Sequence, residues 1–291
     1  MDRKTVEAAI ERTESLPTLP AVRERLATAL DNPDYTYRDV GRIVGVDVIL
    51  TARVLERANA PRRVPSTPAL TVPQAVRIVG FDALGALLRS QSALATLDTR
   101  PQVGEPFPLV ELWRHALATA LTAQAIGVQI GYAEPGELYA AALLHDIGKH
   151  ALWQLFPDKF DAMVAEARRD HATFYSREVE SNESSHAVVG RLLAKRWSLP
   201  AGIVAAIGYH HTPQLAVEHS KIVAVVHVAD MLARALGLGS GGDSFVPPVK
   251  PAMFHALNLG PASIRPLLTR LEAEYGSEAS LLNPPQDSHA H

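Results

Sequence analysis

The sequence predicts an all-helical protein. Three observations carry that expectation: apolar residues recur at helical spacing along most of the chain, strand-like alternation is scarce, and helix-start signals precede the apolar stripes. After the turn-like LPTLP at 16–20, Pro20 suits a first helical position, and Val22, Leu26, Ala29 and Leu30 form one stripe. Thr36 with Asp39 forms a capping-box pattern that opens a short helix to Val44. Asp47 is the expected N-cap of a helix reaching Asn59, with Ile49, Leu50, Val54 and Leu55 inward. Thr71 and Gln74 repeat the box, and a further helix is expected over 81–97. The polar, proline-rich DTRPQVGEPFP at 98–108 reads as a boundary. Helices are then expected near 109–130, 136–147, 158–170, 184–197, 200–209, 216–236 and 262–275. The apolar run IVAVVHVA at 222–229 resembles a strand, but it continues unbroken into DMLARAL and so favours a buried helix. GLGSGGDSFVPPVKP at 237–251 reads as a loop, and NPPQDSHAH as a frayed end.

Bulk properties exclude several classes of function. Of the 291 residues, 47% are hydrophobic and 20% charged, the composition of a folded chain. A net charge of -3 gives no broad footprint for nucleic acid or acidic lipid. With no cysteine, disulfides, zinc ribbons and thiol nucleophiles are excluded, and any transition metal must be held by imidazole and carboxylate. The N-terminus lacks the apolar core of a signal peptide, and no apolar stretch approaches the roughly 18–20 residues needed to span a bilayer. A cytoplasmic location is the expectation.

Metal-competent side chains concentrate between residues 111 and 230: Glu111, His115, His145, Asp146, His186, His210, His211, His227 and Asp230. Glu111 and His115 share a helix face, as do His227 and Asp230. His145 and Asp146 are adjacent and diverge by about 100° on a regular helix, yet near a helix end the aspartate can still bridge two ions. Four separate helices offering such groups to one centre point to metal-assisted phosphoryl hydrolysis, in which divalent ions activate water and clamp phosphate oxygens. Lys149, one turn beyond His145, is placed to offset phosphate charge, which makes Lys149 and Asp146 the candidate catalytic pair. The histidine-rich set suits Fe, Mn or Zn, as one or two ions, better than Mg²⁺.

AALLHDIGK at 141–149, preceded by LWRHALATAL at 112–121, resembles the core of the HD superfamily. SHAVVGRLLAKRWSLPAGIVAAIGYHHTP at 185–213, KIVAVVHVADMLARALG at 221–237, and the front run LPTLPAV, VILTARVLERANA and TVPQAVRIVGFDAL resemble the HDOD family. The resemblance spans about 14–240 and implies a compact all-α fold with a front helical lobe over 1–105 packed on an HD-like core over 106–240. Residues 241–291 follow as loop, helix and tail. The related HD-GYP phosphodiesterases imply metal roles for Glu111 and His115, His145 and Asp146, His186, and His210 and His211. HD-superfamily enzymes generally close the site with an aspartate, which favours Asp230, with His227 the substitute one turn earlier. Thr212 and Pro213 stand where those enzymes carry their GYP segment, which argues against cyclic di-GMP hydrolysis. The resemblance implies a regulatory protein that works through signalling proteins, with a nucleotide ligand and a homodimer compatible with that reading and no membrane or nucleic-acid partner. A metal-dependent phosphohydrolase acting on a nucleotide or cyclic dinucleotide is the alternative.

Other features have plainer readings. Arg53, Arg57, Arg62 and Arg63 read as a solvated basic face, and Trp113, Trp153 and Trp197 as packing between helices. His150, His171, His219, His255, His289 and His291 fit no constellation and are assigned to surface or tail. A ligand is expected in the cleft between the front lobe and the HD core.

Overall fold

The computed structural model describes residues 3–13, 16–60, 68–90, 107–181, 184–248 and 250–284. Helices dominate it, and no β-strand occurs among the described residues. The front of the chain forms α1 (Arg3–Arg12), α2 (Pro20–Asp31), α3 (Tyr37–Gly45), α4 (Val48–Ala58), α5 (Val72–Val79) and α6 (Phe81–Ser90). Their starts follow local chemistry. Thr36 and Asp39 close a reciprocal capping box on α3, and Thr71 and Gln74 do so on α5. Asp47 caps α4 through Ile49 and Leu50, and it also accepts the Leu19 N–H at 3.0 Å. One carboxylate therefore ties the LPTLP turn to α4. The expected continuation of α6 to 97, Arg62, Arg63 and most of the 98–108 boundary lie outside the described residues.

The rest comprises α7 (Val110–Gln129), α8 (Pro135–Leu144), α9 (Ile147–Leu155), α10 (Pro157–Arg169), α11 (Phe174–Glu180), α12 (His186–Arg196), α13 (Ala201–Tyr209), α14 (Ser220–Ala235), α15 (Pro251–Ala256) and α16 (Pro261–Ala279). α7 is buried along most of its length and packs on α8, α14 and α16. The strand-like run at 222–229 lies inside α14, which is apolar on nearly every face because helices surround it. α14 begins at Ser220, later than its periodicity suggests, because His219 adopts a left-handed conformation (φ 60°) that ends the preceding turn. The expected helix over 136–147 breaks at His145–Asp146, and α9 restarts at once. That break turns both side chains inward.

A single apolar core runs from Val6 to Leu282. α16 and the turn after it reach across to α3 and α7: Glu278 pairs with Arg42 at 2.9 Å, and Asn283 Oδ1 accepts from Arg114 at 3.1 Å. α9 and α12 approach at Gly148 and Gly190, where a Cβ on Gly148 would collide with the His186 carbonyl and the Gly190 backbone. Only glycine lets these two helices come close enough to share a centre. No helix among the described residues is long and apolar enough to cross a membrane.

Candidate metal centre

Five segments deliver the centre. α7 carries His115, the α8–α9 break carries His145 and Asp146, the start of α12 carries His186, the end of α13 carries His210 and His211, and α14 carries Asp230. Two donor sets result, each with its ligand atoms within 4.8 Å of one another. The first is His115, His145 and Asp146; the second is Asp146, His186, His210 and His211. Asp146 belongs to both. Its Oδ2 stands 3.3 Å from His145 Nε2 and 3.8 Å from His115 Nε2, and its Oδ1 stands 3.1 Å from His186 Nε2 and 3.6 Å from His210 Nε2. Asp230 adjoins the first set, with Oδ1 3.0 Å from His115 Nε2 and 3.9 Å from His145 Nε2.

Hydrogen bonds on the far side of each ring decide what the near side offers. His145 Nδ1 lies 2.6 Å from the Ala142 carbonyl and His210 Nδ1 3.0 Å from that of Ile207, so both Nδ1 atoms donate. His186 Nδ1 lies 2.6 Å from Glu178 Oε2, and the other Glu178 oxygen accepts the His186 backbone N–H at 2.7 Å. Their Nε2 atoms are therefore lone pairs aimed inward. His186 Nε2 then faces His210 Nε2 at 3.4 Å and His211 Nε2 at 3.0 Å, a contact that is repulsive unless a cation or proton lies between. His145 Nε2, His115 Nδ1 and Asp146 Oδ1 are buried without a hydrogen-bond partner. Unpaired buried polar atoms cost about 1–3 kcal/mol each, so several at one spot mark a missing binding partner. The residues fit a divalent ion.

Charge in the centre is arranged to the same end. Burial pushes His115, His210 and His211 below the usual imidazole range, His210 to about 4, which keeps them neutral and able to ligate. Burial alone would raise Asp146, but His145, Lys149 and His186 hold it well below the ordinary carboxylate range. Asp230 is likewise held ionised, against burial, by Arg234 and His115. His186 is the exception: burial opposes a charge on it, yet the Glu178 carboxylate outweighs burial and raises the imidazole, so a proton competes with an ion for its Nε2.

The remaining sequence candidates are placed as follows. Lys149 is fully buried, with Nζ 2.7 Å from Asp146 Oδ2, so it sits at the centre itself. Glu111 is not brought in. It lies one turn before His115, nearer solvent, and its carboxylate is taken by Arg114 at 2.6 Å. His227 stands outside both sets: its Nδ1 donates to the His210 carbonyl at 2.7 Å and its Nε2 has no partner. His150, assigned to the surface from sequence, is instead buried edge-on against Trp113, because α9 turns inward after the break. His171, His219 and His255 are exposed.

Three groups escaped the sequence reading. Glu178 orients His186 from the end of α11. Arg234 bonds Asp230 at 2.8 Å and Asp243 at 2.9 Å, and Asp243 also accepts the Phe174 N–H at 2.8 Å. Only Arg234 left a trace, since it lies one turn beyond Asp230. The loop after α14 covers the centre, with Gly239 (φ 73°) seated on the Arg114–His115 backbone and Gly241 against Arg234 and Lys149. A side chain at Gly239 would strike that backbone and lift the loop off. A cavity beside the centre lies between His211, His227 and this loop.

A domain model for the HDOD domain matches residues 16–213. The chain belongs to the HDOD family. An uncharacterized protein of Treponema pallidum (strain Nichols) is 25% identical over 235 residues, which is 80% of this chain and 45% of that protein. The chain thus spans less than half the length of that relative. An HDOD domain protein of unknown function from Geobacter sulfurreducens is 27% identical, with 97% of this chain and 98% of the other covered and a TM-score of 0.55. The MmoQ response regulator of Methylococcus capsulatus str. Bath is 24% identical over 88% of this chain and 99% of the other, with a TM-score of 0.67, and shares the fold.

Proposed function

We propose that this chain is a signalling-type HDOD protein that holds one or two divalent ions and acts by binding rather than by turnover. The observation that carries this reading is the convergence of buried imidazole and carboxylate atoms from five segments on one spot, several of them without a hydrogen-bond partner, joined through Asp146. His115, His145, Asp146 and Asp230 would hold one ion, and Asp146, His186, His210 and His211 the other. A bound ion would supply Lewis-acid stabilisation of charge on a phosphate oxygen. The protein's own part is to fix ring orientation through Glu178 and the Ala142 and Ile207 carbonyls, and to exclude water with the loop over Gly239 and Gly241. Cross-linking five segments also adds binding free energy to folding free energy. Fe, Mn and Zn match the donor chemistry. Lys149 and Arg234 already neutralise Asp146 and Asp230 under a closed loop, which favours a held state over rapid exchange of substrate.

A metal-dependent phosphohydrolase is the second reading, favoured by the shared Asp146 and by Lys149 beside it. Elemental analysis of protein purified without a histidine tag tests the common premise: near-stoichiometric metal is expected, and it should be lost in Asp146→Ala. Absence of metal would sink both readings. A panel of phosphodiesters with added Mn²⁺ or Fe²⁺ separates them, since turnover abolished by His145→Ala would defeat the binding-only reading.

A further inference from the structure

A cavity of about 240 Å³ adjoins the second donor set, lined by His211, His227, Arg234, Asp243 and Lys250 among others. It falls below the roughly 300–1,000 Å³ typical of pockets for drug-sized ligands. Its one acid is spent, because Asp243 accepts from Arg234, Phe174 and Phe245. Lys250 has no such partner. Its Nζ donates to the His211 carbonyl at 2.8 Å and to Gln214 Oε1 at 3.4 Å, both neutral, and no carboxylate pairs with it among the described residues. The cavity therefore carries a positive charge that wants an anion.

His227 narrows the choice of anion. The residue is only 6% exposed, and its Nδ1 is committed as a donor to the His210 carbonyl. Its Nε2 is consequently a bare acceptor, buried and unpartnered, on the cavity wall. A fully deprotonated oxyanion would set a lone pair against that nitrogen. A ligand with an oxyanion oxygen for Lys250 and an O–H for His227 satisfies both.

We propose that this cavity binds a proton-bearing phosphate group, either inorganic phosphate or the monoanion of a small phosphomonoester. Lys250 takes its charged oxygens, and His227 Nε2 accepts its P–OH. Sulfate and phosphodiesters, cyclic dinucleotides included, have no such proton and are disfavoured. The inference names the ligand class of the binding protein proposed above and rests on its acting by binding, while the cavity itself needs no metal.

The test is calorimetric titration of the full chain at pH 6 with inorganic phosphate, glycerol phosphate and sulfate, with metal content measured on the same samples. Saturable phosphate binding at least roughly tenfold tighter than sulfate is expected, the range of one hydrogen bond involving a charged group. Lys250→Met, at the cavity rim, should weaken phosphate binding roughly ten- to a hundredfold without changing metal content. His227→Ala should erase the preference over sulfate; should it fail to fold, Lys250→Met still decides. Equal binding of phosphate and sulfate, or phosphate binding indifferent to Lys250, would overturn the proposal. So would a cyclic dinucleotide bound as tightly as phosphate. Metal-free protein that still binds phosphate through Lys250 would sink the metal reading and leave this one standing.

Discussion

Asp47 and Asp146 occupy the same formal position in two regions of the molecule. Each is a buried aspartate at the N-cap of a helix, Asp47 on α4 among the front helices and Asp146 on α9 at the centre. Asp47 caps: it accepts three backbone N–H groups, from Leu19, Ile49 and Leu50. Asp146 makes no side-chain cap bond and turns both oxygens toward histidines and Lys149. A residue that could satisfy its own helix and instead faces a cluster of unpaired groups is held there by something other than local folding. The front helices are built to be stable, and the centre is built to bind.

The largest expected effect tests that difference directly. Asp146→Ala removes the group common to both donor sets and leaves Lys149 buried beside no counter-charge, a change of about 3–5 kcal/mol. Metal content by elemental analysis should fall to background. Asp47→Ala should lower stability too, through its lost cap, but leave metal content unchanged. If it also emptied the centre, the two regions would not be separable.

pH should act on the two regions with opposite sign. Burial raises the Asp47 carboxyl to about 6 from 3.8, so the folded state prefers it protonated. Its contribution is fully present below 3.8 and is lost as pH rises through 6. His150, next to the centre, is pushed by burial from 6.5 to about 4, so the folded state prefers it neutral. That contribution is present above 6.5 and is lost as pH falls through 4. Each swing is on the order of 3 kcal/mol. Denaturant unfolding between pH 7 and 4 should therefore show wild type gaining on Asp47→Asn as pH falls, and losing ground to His150→Gln over the same window. Parallel trends would break the contrast.

Glu178 probes the centre more finely. Glu178→Gln keeps the size and one acceptor but removes the charge behind His186, and losses of this kind cost roughly 10–100-fold in metal affinity. Competition with a chelator should show that loss.

What the sequence made legible follows the same division. The caps at Thr36, Asp47 and Thr71 are readable because their partners lie within three residues on the chain. His145–Asp146 and His210–His211 stand out through residue type, and a resemblance to known helical cores gave their order. Glu178 and Asp243 are ordinary acids in polar segments, and nothing local announces that they meet His186 and Arg234. His150 was misplaced because its burial depends on the helix break at Asp146, which redirects the whole of α9. Glu111 shares a helix with His115 but not its direction, since Arg114 holds it near solvent.

The smallest effect gives the finest comparison, between two hydroxyl caps of the same kind. Thr36 caps α3 at an exposed position by accepting the Asp39 N–H, and Ser185 caps α12 by accepting the Val188 N–H. Alanine at either site should cost about 1 kcal/mol. The helix behind Ser185 begins with His186, whose ring must meet Asp146 Oδ1 at 3.1 Å and two further imidazoles. Fraying its first turn displaces a ligand as well as a helix end. Ser185→Ala should therefore weaken metal retention against a chelator by several-fold, by roughly the cap energy expressed as binding. Thr36→Ala should leave retention unchanged at the same loss of stability. Equal retention in the two variants would mean that the start of α12 is held by Glu178 alone, and that the cap serves only the helix.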